Sequence, residues 1–152
     1  MALILKVGSR FHHVGVACRD LEQEQNELGA LGYMPAGKPF TDPRQGVVGV
    51  FLEGPGPRLE LLAPFESSKV LDPWLRARTK MYHLAYEVSR LNEAISEACD
   101  AGARQMSTPT PALAFGNRHI CFVMLRNRLL VELIEAEEPD ADPPPLPRGP
   151  ER

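Results

Sequence analysis

Two histidines and two glutamates occupy matched positions in the two halves of this 152-residue chain. His13 and His83 are 70 residues apart, and Glu60 and Glu132 are 72 residues apart. If the two halves pair about a pseudo-twofold axis, these four side chains meet at one point. Imidazole nitrogens and carboxylate oxygens suit zinc, and also iron, cobalt, nickel or manganese. The spacing therefore predicts a site for a divalent metal and leaves the identity of the metal open.

The sequence around each of these residues repeats as well. Residues 11–32 and 81–102 both place a histidine on a strand-like pattern and follow it with a helical pattern that ends at glycine. Residues 58–62 resemble residues 130–134, so that each half ends with an apolar strand carrying one carboxylate. A fixed long offset of this kind indicates two copies of one structural unit.

Each half is predicted to have the element order βαβββ, which makes the fold class α+β. The first half is predicted to contain a strand from Phe11, a helix over Leu21–Leu31 capped by Asp20, and strands at Tyr33–Phe40, Val47–Glu53 and Arg58–Ala63. The second half is predicted to contain strands at Tyr82–Val88, Ala103–Thr108, Arg118–Leu125 and Leu129–Glu135, with a helix over Arg90–Ala101. A short helix around Val70–Arg78 is expected in the connector, and residues 1–9 are expected to form a loose lead-in.

Alternation along the strands assigns the side chains to two faces. It places the four candidate ligands opposite the bulky apolar residues, so the metal should lie inside the curve of the sheet. It also predicts that Tyr82 packs on a helix and that His12 faces away from His13 as a packing residue.

Length and composition favour one domain over residues 1–136, with modules at about 10–64 and 81–136. A domain of this size buries roughly 68–70% of its unfolded surface, which allows a substantial core. Residues 137–152 are rich in proline and acidic side chains and lack apolar periodicity, which predicts a disordered tail. The three cysteines form no Cys-x-x-Cys pair, which favours reduced thiols over a disulfide framework or a cysteine metal cluster.

Charge and hydropathy limit the partners of the chain. The tail accounts for the whole net charge of −3, and the remaining body is neutral without a basic stripe, which argues against a nucleic-acid partner. No apolar run approaches the ~20 residues needed to span a bilayer or the core of a signal peptide. These patterns predict a cytoplasmic protein without a membrane partner.

Four motifs in this order resemble the vicinal oxygen chelate superfamily, which includes glyoxalases, bleomycin resistance proteins and dioxygenases. The motifs are His-His-Val-Gly-Val-Ala at 12–17, Leu-Glu-Leu-Leu-Ala-Pro at 59–64, Tyr-His-Leu-Ala-Tyr-Glu-Val at 82–88 and Leu-Val-Glu-Leu-Ile-Glu at 130–135. Within the superfamily the motifs are most like those of methylmalonyl-CoA epimerases. The resemblance covers about residues 10–136.

The resemblance implies a fold, a cofactor and a reaction. The fold would be two βαβββ modules that form a cupped, barrel-like mixed sheet with helices outside. One divalent ion, of cobalt, manganese, nickel or zinc, would be held by His13, Glu60, His83 and Glu132. The enzyme would be an isomerase that epimerises an α-substituted acyl thioester, on CoA or a carrier, through a metal-stabilised enolate. Glu132 would then be a catalytic residue as well as a ligand, and the resemblance also implies a homodimer.

Two positions depart from the epimerase pattern. Some bacterial epimerases carry a second carboxylate where this chain has Gly49, and the loop at residues 112–117 is more apolar than theirs. Inversion at carbon needs a proton removed on one face and returned on the other, so the missing carboxylate leaves a role to be filled. His119, near the basic residue that follows the loop, is the candidate for that second catalytic group.

Three other functions of the same fold stay open at this point. A lactoylglutathione lyase would use the same His/Glu/His/Glu set, although the helix after His13 lacks the Phe-Tyr usual in that enzyme. A non-enzymatic drug-binding resistance protein would typically lack the metal ligands. An extradiol dioxygenase would use two histidines and one carboxylate and is commonly built from four modules.

Overall fold

The computed structural model describes residues 3–137, and its framework is a single mixed sheet of ten strands. The first half contains β1 (Arg10–Ala17), α1 (Leu21–Gly29), β2 (Met34–Pro35), β3 (Phe40–Asp42), β4 (Val47–Glu53) and β5 (Leu59–Pro64). The connector carries α2 (Asp72–Ala77). The second half contains β6 (Met81–Val88), α3 (Leu91–Asp100), β7 (Arg104–Gln105), β8 (Thr110–Pro111), a 3₁₀ turn (Leu113–Phe115), β9 (His119–Met124) and β10 (Leu130–Glu135).

The strand order places the four ligand-bearing strands side by side at the centre of the sheet. The order is β2-β4-β5-β1-β6-β10-β9-β7, with β3 paired to β4 and β8 paired to β9. The first strands of the two halves, β1 and β6, are antiparallel neighbours, and each runs parallel to the last strand of its own half. The sheet curls without closing, and the predicted fold class is confirmed.

The helices cover the outer face of the sheet, as predicted. Asp20 caps α1, since its side chain accepts a hydrogen bond from the backbone N–H of Gln23 at 3.0 Å. The inward face of α3 is buried against residues of β9 and β10, among them Val123 and Leu133. Burial of a Val or Leu side chain stabilises the fold by roughly 1.5–3 kcal/mol, so this contact fixes the orientation of the second half.

The third element of each half is broken into two short strands, so the predictions of continuous strands at residues 33–40 and 103–108 are wrong. Proline lacks a backbone N–H and is tolerated only where a strand is at an edge or ends. Pro35 and Pro39 interrupt the first segment, where Gly37 also takes a positive φ of 99°. Pro109 and Pro111 interrupt the second segment in the same way.

The ladder between β1 and β6 contains two register shifts, and each leaves one residue without an opposite partner. The extra residues are His12 on β1 and Tyr82 on β6, which come just before His13 and His83. A β-bulge interrupts alternation, so that two successive side chains can share a face. The prediction that His12 and Tyr82 pack toward the helices is therefore wrong. His12 lies against aromatic rings inside the sheet, and Tyr82 lines the internal cavity.

Two terminal predictions have different outcomes. The loose lead-in is wrong for residues 3–9, because Ile4 and Leu5 pack against the α3 cluster and Lys6 pairs with Glu97. The predicted disordered tail lies, apart from residue 137, outside the described residues. Within residues 3–137, every helix is too short or too polar to cross a bilayer.

Candidate metal centre and cavity

The four candidate ligands converge inside the curved sheet. His13 Nε2 lies 3.0 Å from His83 Nε2 and 2.5 Å from Glu60 Oε2, and Glu132 Oε2 lies 2.9 Å from His83 Nε2. One ligand atom from each of the four residues lies within 4.8 Å of the other three. All four side chains are buried, with at most 4% of any residue exposed. The structure thus brings together the metal ligands that the sequence predicts.

Two small residues make room for this cluster. Gly15 is opposite both Glu60 on β5 and His83 on β6, and Ala85 is opposite both His13 on β1 and Glu132 on β10. A Cβ atom at position 15 would lie only 2.0 Å from Cε1 of the His83 imidazole. The imidazole therefore occupies the space that a side chain at Gly15 would fill. Sequence reasoning did not identify this role, although a small residue two places after each histidine was the available signal.

Aromatic rings form the wall around the histidines. The His13 ring stacks on Phe115, with ring centroids 5.8 Å apart, and meets Phe51 edge-on at 5.5 Å. The His83 ring is flanked by Phe122 and Tyr82 at 5.4 and 4.5 Å. An apolar wall of this kind makes an unpaired charge costly, so the charges of the cluster must be balanced within it.

Two polar atoms of the cluster lack a hydrogen-bond partner among the described residues. Glu60 Oε2 lies close to His13 Nε2, but no donor is aligned with it, and His83 Nδ1 has no partner either. The two Nε2 atoms also face each other beside two carboxylate oxygens. Four lone-pair atoms that converge in a buried space call for a cation, and a divalent metal fits this donor set.

The electrostatics of the protein alone lead to the same conclusion. Burial lowers the pKa of His13, but the neighbouring Glu60 and Glu132 carboxylates outweigh it and raise that pKa to about 10. Burial raises the pKa of Glu132, but hydrogen bonds from His13 and His83 outweigh it and lower that pKa to about 2. A proton on His13 thus supplies positive charge to the cluster, and a bound metal would displace it.

A cavity of about 320 Å³ opens beside the cluster. Glu60 and Glu132 line it, and most of its wall is apolar, with Phe40, Leu62, Phe115 and Phe122 among the lining residues. The connector closes part of it through Leu71 and Trp74. The arrangement can hold a small molecule with an apolar substituent against two carboxylates.

Asp42 also lines the cavity, but its carboxylate is fully engaged. It is 3% exposed and accepts hydrogen bonds from the backbone N–H groups of Arg44, Gln45 and Leu113 at 3.1, 3.2 and 2.9 Å. The bond to Leu113 ties β3 of the first half to the 3₁₀ turn of the second half. Asp42 therefore holds the wall of the cavity in place.

The structure does not bring His119 to the cluster. Phe122 pairs with Glu132 and lines the cavity, so the odd-numbered residues of β9 face outward. His119 is exposed, and its Nδ1 lies 3.4 Å from the exposed Glu135 carboxylate. Its predicted role as a second catalytic group therefore has no support from its position.

Position 49 also lacks room for a second carboxylate. A Cβ atom on Gly49 would lie 2.4 Å from the Phe40 ring and 2.7 Å from the Leu62 side chain. The Phe40 ring thus fills the space into which a side chain at position 49 would extend.

Comparison with known proteins follows from this geometry. The profile of the glyoxalase/bleomycin resistance protein/dioxygenase superfamily matches residues 12–122. The chain belongs to this superfamily. This confirms the resemblance drawn from the four motifs.

Similar proteins within the superfamily are epimerases. An ethylmalonyl-CoA/methylmalonyl-CoA epimerase of Cereibacter sphaeroides is 30% identical over 132 residues, which cover 82% of this chain and 96% of the relative. The crystal structure of methylmalonyl-CoA epimerase from Mycobacterium tuberculosis is 26% identical and superimposes with a TM-score of 0.69, covering 84% of this chain and 88% of that one. A methylmalonyl-CoA epimerase solved with methylmalonyl-CoA and NH4⁺ shares the fold, with a TM-score of 0.69 at 23% identity, covering 86% of this chain and 99% of that one. Homologues of this superfamily member are therefore methylmalonyl-CoA epimerases.

Proposed function

We propose that this chain is a divalent-metal-dependent epimerase of an α-substituted acyl thioester, for which methylmalonyl-CoA is the first substrate to test. The observation that carries the proposal is a buried cluster of two histidines and two glutamates that borders an apolar cavity. The epimerase relatives support the reaction class. The acyl group and its carrier, CoA or another phosphopantetheine carrier, are part of the proposal.

His13, Glu60, His83 and Glu132 would hold the ion, which would be cobalt, manganese, nickel or zinc. When bound, it would supply Lewis-acid stabilisation of the negative charge that develops on the thioester oxygen. The residues of the chain do the rest. The aromatic wall excludes water, and Glu132 takes the α-proton of the substrate as general base.

Inversion requires a second group that returns a proton on the opposite face. Three carboxylates line the cavity among the described residues: Asp42, Glu60 and Glu132. Asp42 is committed to three backbone N–H groups. Glu60 and Glu132 lie on the outer two of the four central strands, on opposite sides of the histidines, and Glu60 Oε2 has no aligned donor. Glu60 is therefore the carboxylate to which we assign the second proton transfer.

Exchange and inversion measured together test this function. The substrate is one epimer of methylmalonyl-CoA in deuterated water with added metal, and the native protein should exchange the α-proton and invert the centre at similar rates. Glu60→Gln keeps an oxygen that can bind metal but cannot carry the proton. It should lower inversion by about 10²–10⁴-fold while exchange on one face continues.

Matched variants make the test specific. Glu132→Gln should abolish both exchange and inversion, whereas Glu135→Gln changes an exposed carboxylate outside the cavity and should leave both unchanged. If Glu60→Gln keeps its metal and still inverts at the native rate, the second proton transfer belongs to another group.

A lactoylglutathione lyase is the second candidate, because a glutamate at both position 60 and position 132 matches the ligand pattern of that enzyme. The same assay panel separates the two functions. Turnover of the hemithioacetal of methylglyoxal and glutathione, without exchange of any 2-substituted acyl thioester, would replace the epimerase with the lyase. Failure to bind metal would instead favour a non-enzymatic small-molecule-binding protein.

A homodimer in the cytoplasm is also part of the proposal, supported by the family resemblance. Light scattering of the purified full chain tests the assembly, and cell fractionation tests the location.

A further inference from the structure

His12 is the one histidine inside the sheet that the proposed function leaves without a role. The bulge in β1 turns its ring inward, where it meets Phe51 and Phe115 edge-on at centroid distances of 5.9 and 5.4 Å. The same two phenylalanines flank the His13 ring. The bulge therefore places two successive imidazoles in one aromatic pocket.

The two imidazoles are joined by a hydrogen bond. Nδ1 of His12 lies 2.8 Å from Nδ1 of His13, so one of these nitrogens carries the proton and the other accepts it. His13 Nε2 faces the carboxylates and His83, and it can bind a cation only with its lone pair free. The proton of neutral His13 must then be on Nδ1, which donates to His12 Nδ1.

We propose that His12 is a positioning residue that holds His13 in its metal-binding orientation and tautomer by accepting a hydrogen bond from His13 Nδ1–H. Histidine ligands of metals commonly donate their other ring N–H to an acceptor, which fixes the ring and the tautomer. This inference rests on the metal site of the proposed function. It also revises the expectation, based on an outward-facing ring, that loss of His12 would leave the metal bound.

The second histidine ligand is held by a different means. The bulge residue before His83 is Tyr82, and His83 Nδ1 has no hydrogen-bond partner among residues 3–137. Its ring is confined by the backbone of Gly15 instead. The two halves thus place equivalent imidazoles by a hydrogen bond in one case and by close packing in the other.

Two substitutions separate the hydrogen bond from the packing. His12→Phe keeps an aromatic ring between Phe51 and Phe115 but removes the acceptor. His12→Asn keeps an acceptor, because Oδ1 of asparagine is the same number of bonds from Cα as Nδ1 of histidine. His119→Phe is the control, since it removes an exposed histidine far from the cluster.

The first measurement is zinc affinity of the full chain by competition with a chromophoric chelator. His12→Phe should weaken binding by about 10–100-fold, as expected for loss of the hydrogen-bond partner of a metal ligand. His12→Asn should recover most of the affinity, and His119→Phe should bind like the native protein.

The second measurement needs no metal. In the ¹⁵N-labelled native chain, a scalar coupling across the hydrogen bond should connect Nδ1 of His12 with Nδ1 of His13, and it should be absent in His12→Phe. Native zinc affinity in a folded His12→Phe, or absence of the coupling in the native chain, would overturn the role of His12. If the coupling is present but the native chain binds no divalent metal, the proposed function itself fails.

Discussion

Replacing Gly15 with alanine tests the packing that holds His83 in the cluster. The Cβ atom of the new residue would lie 2.0, 2.2 and 2.5 Å from Cε1, Nδ1 and Nε2 of the His83 ring. Favourable contacts between heavy atoms begin near 3.5 Å, so the ring must move by more than an ångström. The backbone at position 15 cannot move instead, because it is paired with strands on both sides.

The size of the effect follows from this overlap. Overpacking in a well-ordered core typically costs about 1–3 kcal/mol, which lowers the melting temperature of a domain this size by roughly 2–12 °C. Displacement of a ligand should cost more metal affinity than loss of a ligand's hydrogen-bond partner, hence more than about 100-fold. Gly29→Ala is the control, because a Cβ atom there meets nothing within 4 Å.

Thermal unfolding of the metal-free protein and metal titration together give the result. The double variant Gly15→Ala/His83→Ala isolates the contact, because removal of the His83 ring should relieve the clash. The double variant should then be no less stable than His83→Ala alone. Native metal affinity in Gly15→Ala would refute the placement of His83 as a ligand beside Gly15.

Three further predictions follow from the cluster and its surroundings. His83→Ala and Glu132→Ala should each abolish tight metal binding while His119→Ala retains it, as measured by elemental analysis after dialysis; equal metal content in all three would remove the site assignment. In the metal-free protein, the raised pKa of His13 gives a stabilisation that is complete below pH 6.5 and lost as the pH rises toward 10, so melts between pH 6 and 10 should show a decline that His13→Gln lacks; a parallel decline in both proteins would exclude it. Asp42→Asn should cost about 1–3 kcal/mol in urea unfolding, since an amide cannot accept hydrogen bonds at both ends and one backbone N–H group loses its partner; an unchanged midpoint would show that the bond to Leu113 contributes nothing.

The ligand cluster could be predicted from the sequence because it depends on spacing between repeats. The same offset relates His13 to His83, and nearly the same offset relates Glu60 to Glu132, so two similar half-chains bring them together however the details vary. The order of elements follows for the same reason, since helix caps such as Asp20 and runs of alternating residues are local signals.

The faces of individual residues could not be predicted in the same way. The bulges at His12 and Tyr82 arise from the register between β1 and β6, and alternation within one strand does not reveal a residue inserted relative to its partner strand. The position of His119 depends likewise on the register of β9 against β10, which places Phe122 rather than His119 beside Glu132. Local sequence therefore predicted the ligands but not all of the residues that surround them.

The most direct test of the metal site is a crystal structure of the full chain grown with cobalt or zinc, with diffraction recorded on both sides of the absorption edge of the metal. One anomalous peak is predicted per chain, within about 2.0–2.2 Å of Nε2 of His13, Nε2 of His83 and a carboxylate oxygen of each of Glu60 and Glu132. The absence of a peak at this cluster, or a peak bound by other residues, would contradict the assignment of these four side chains as a metal centre.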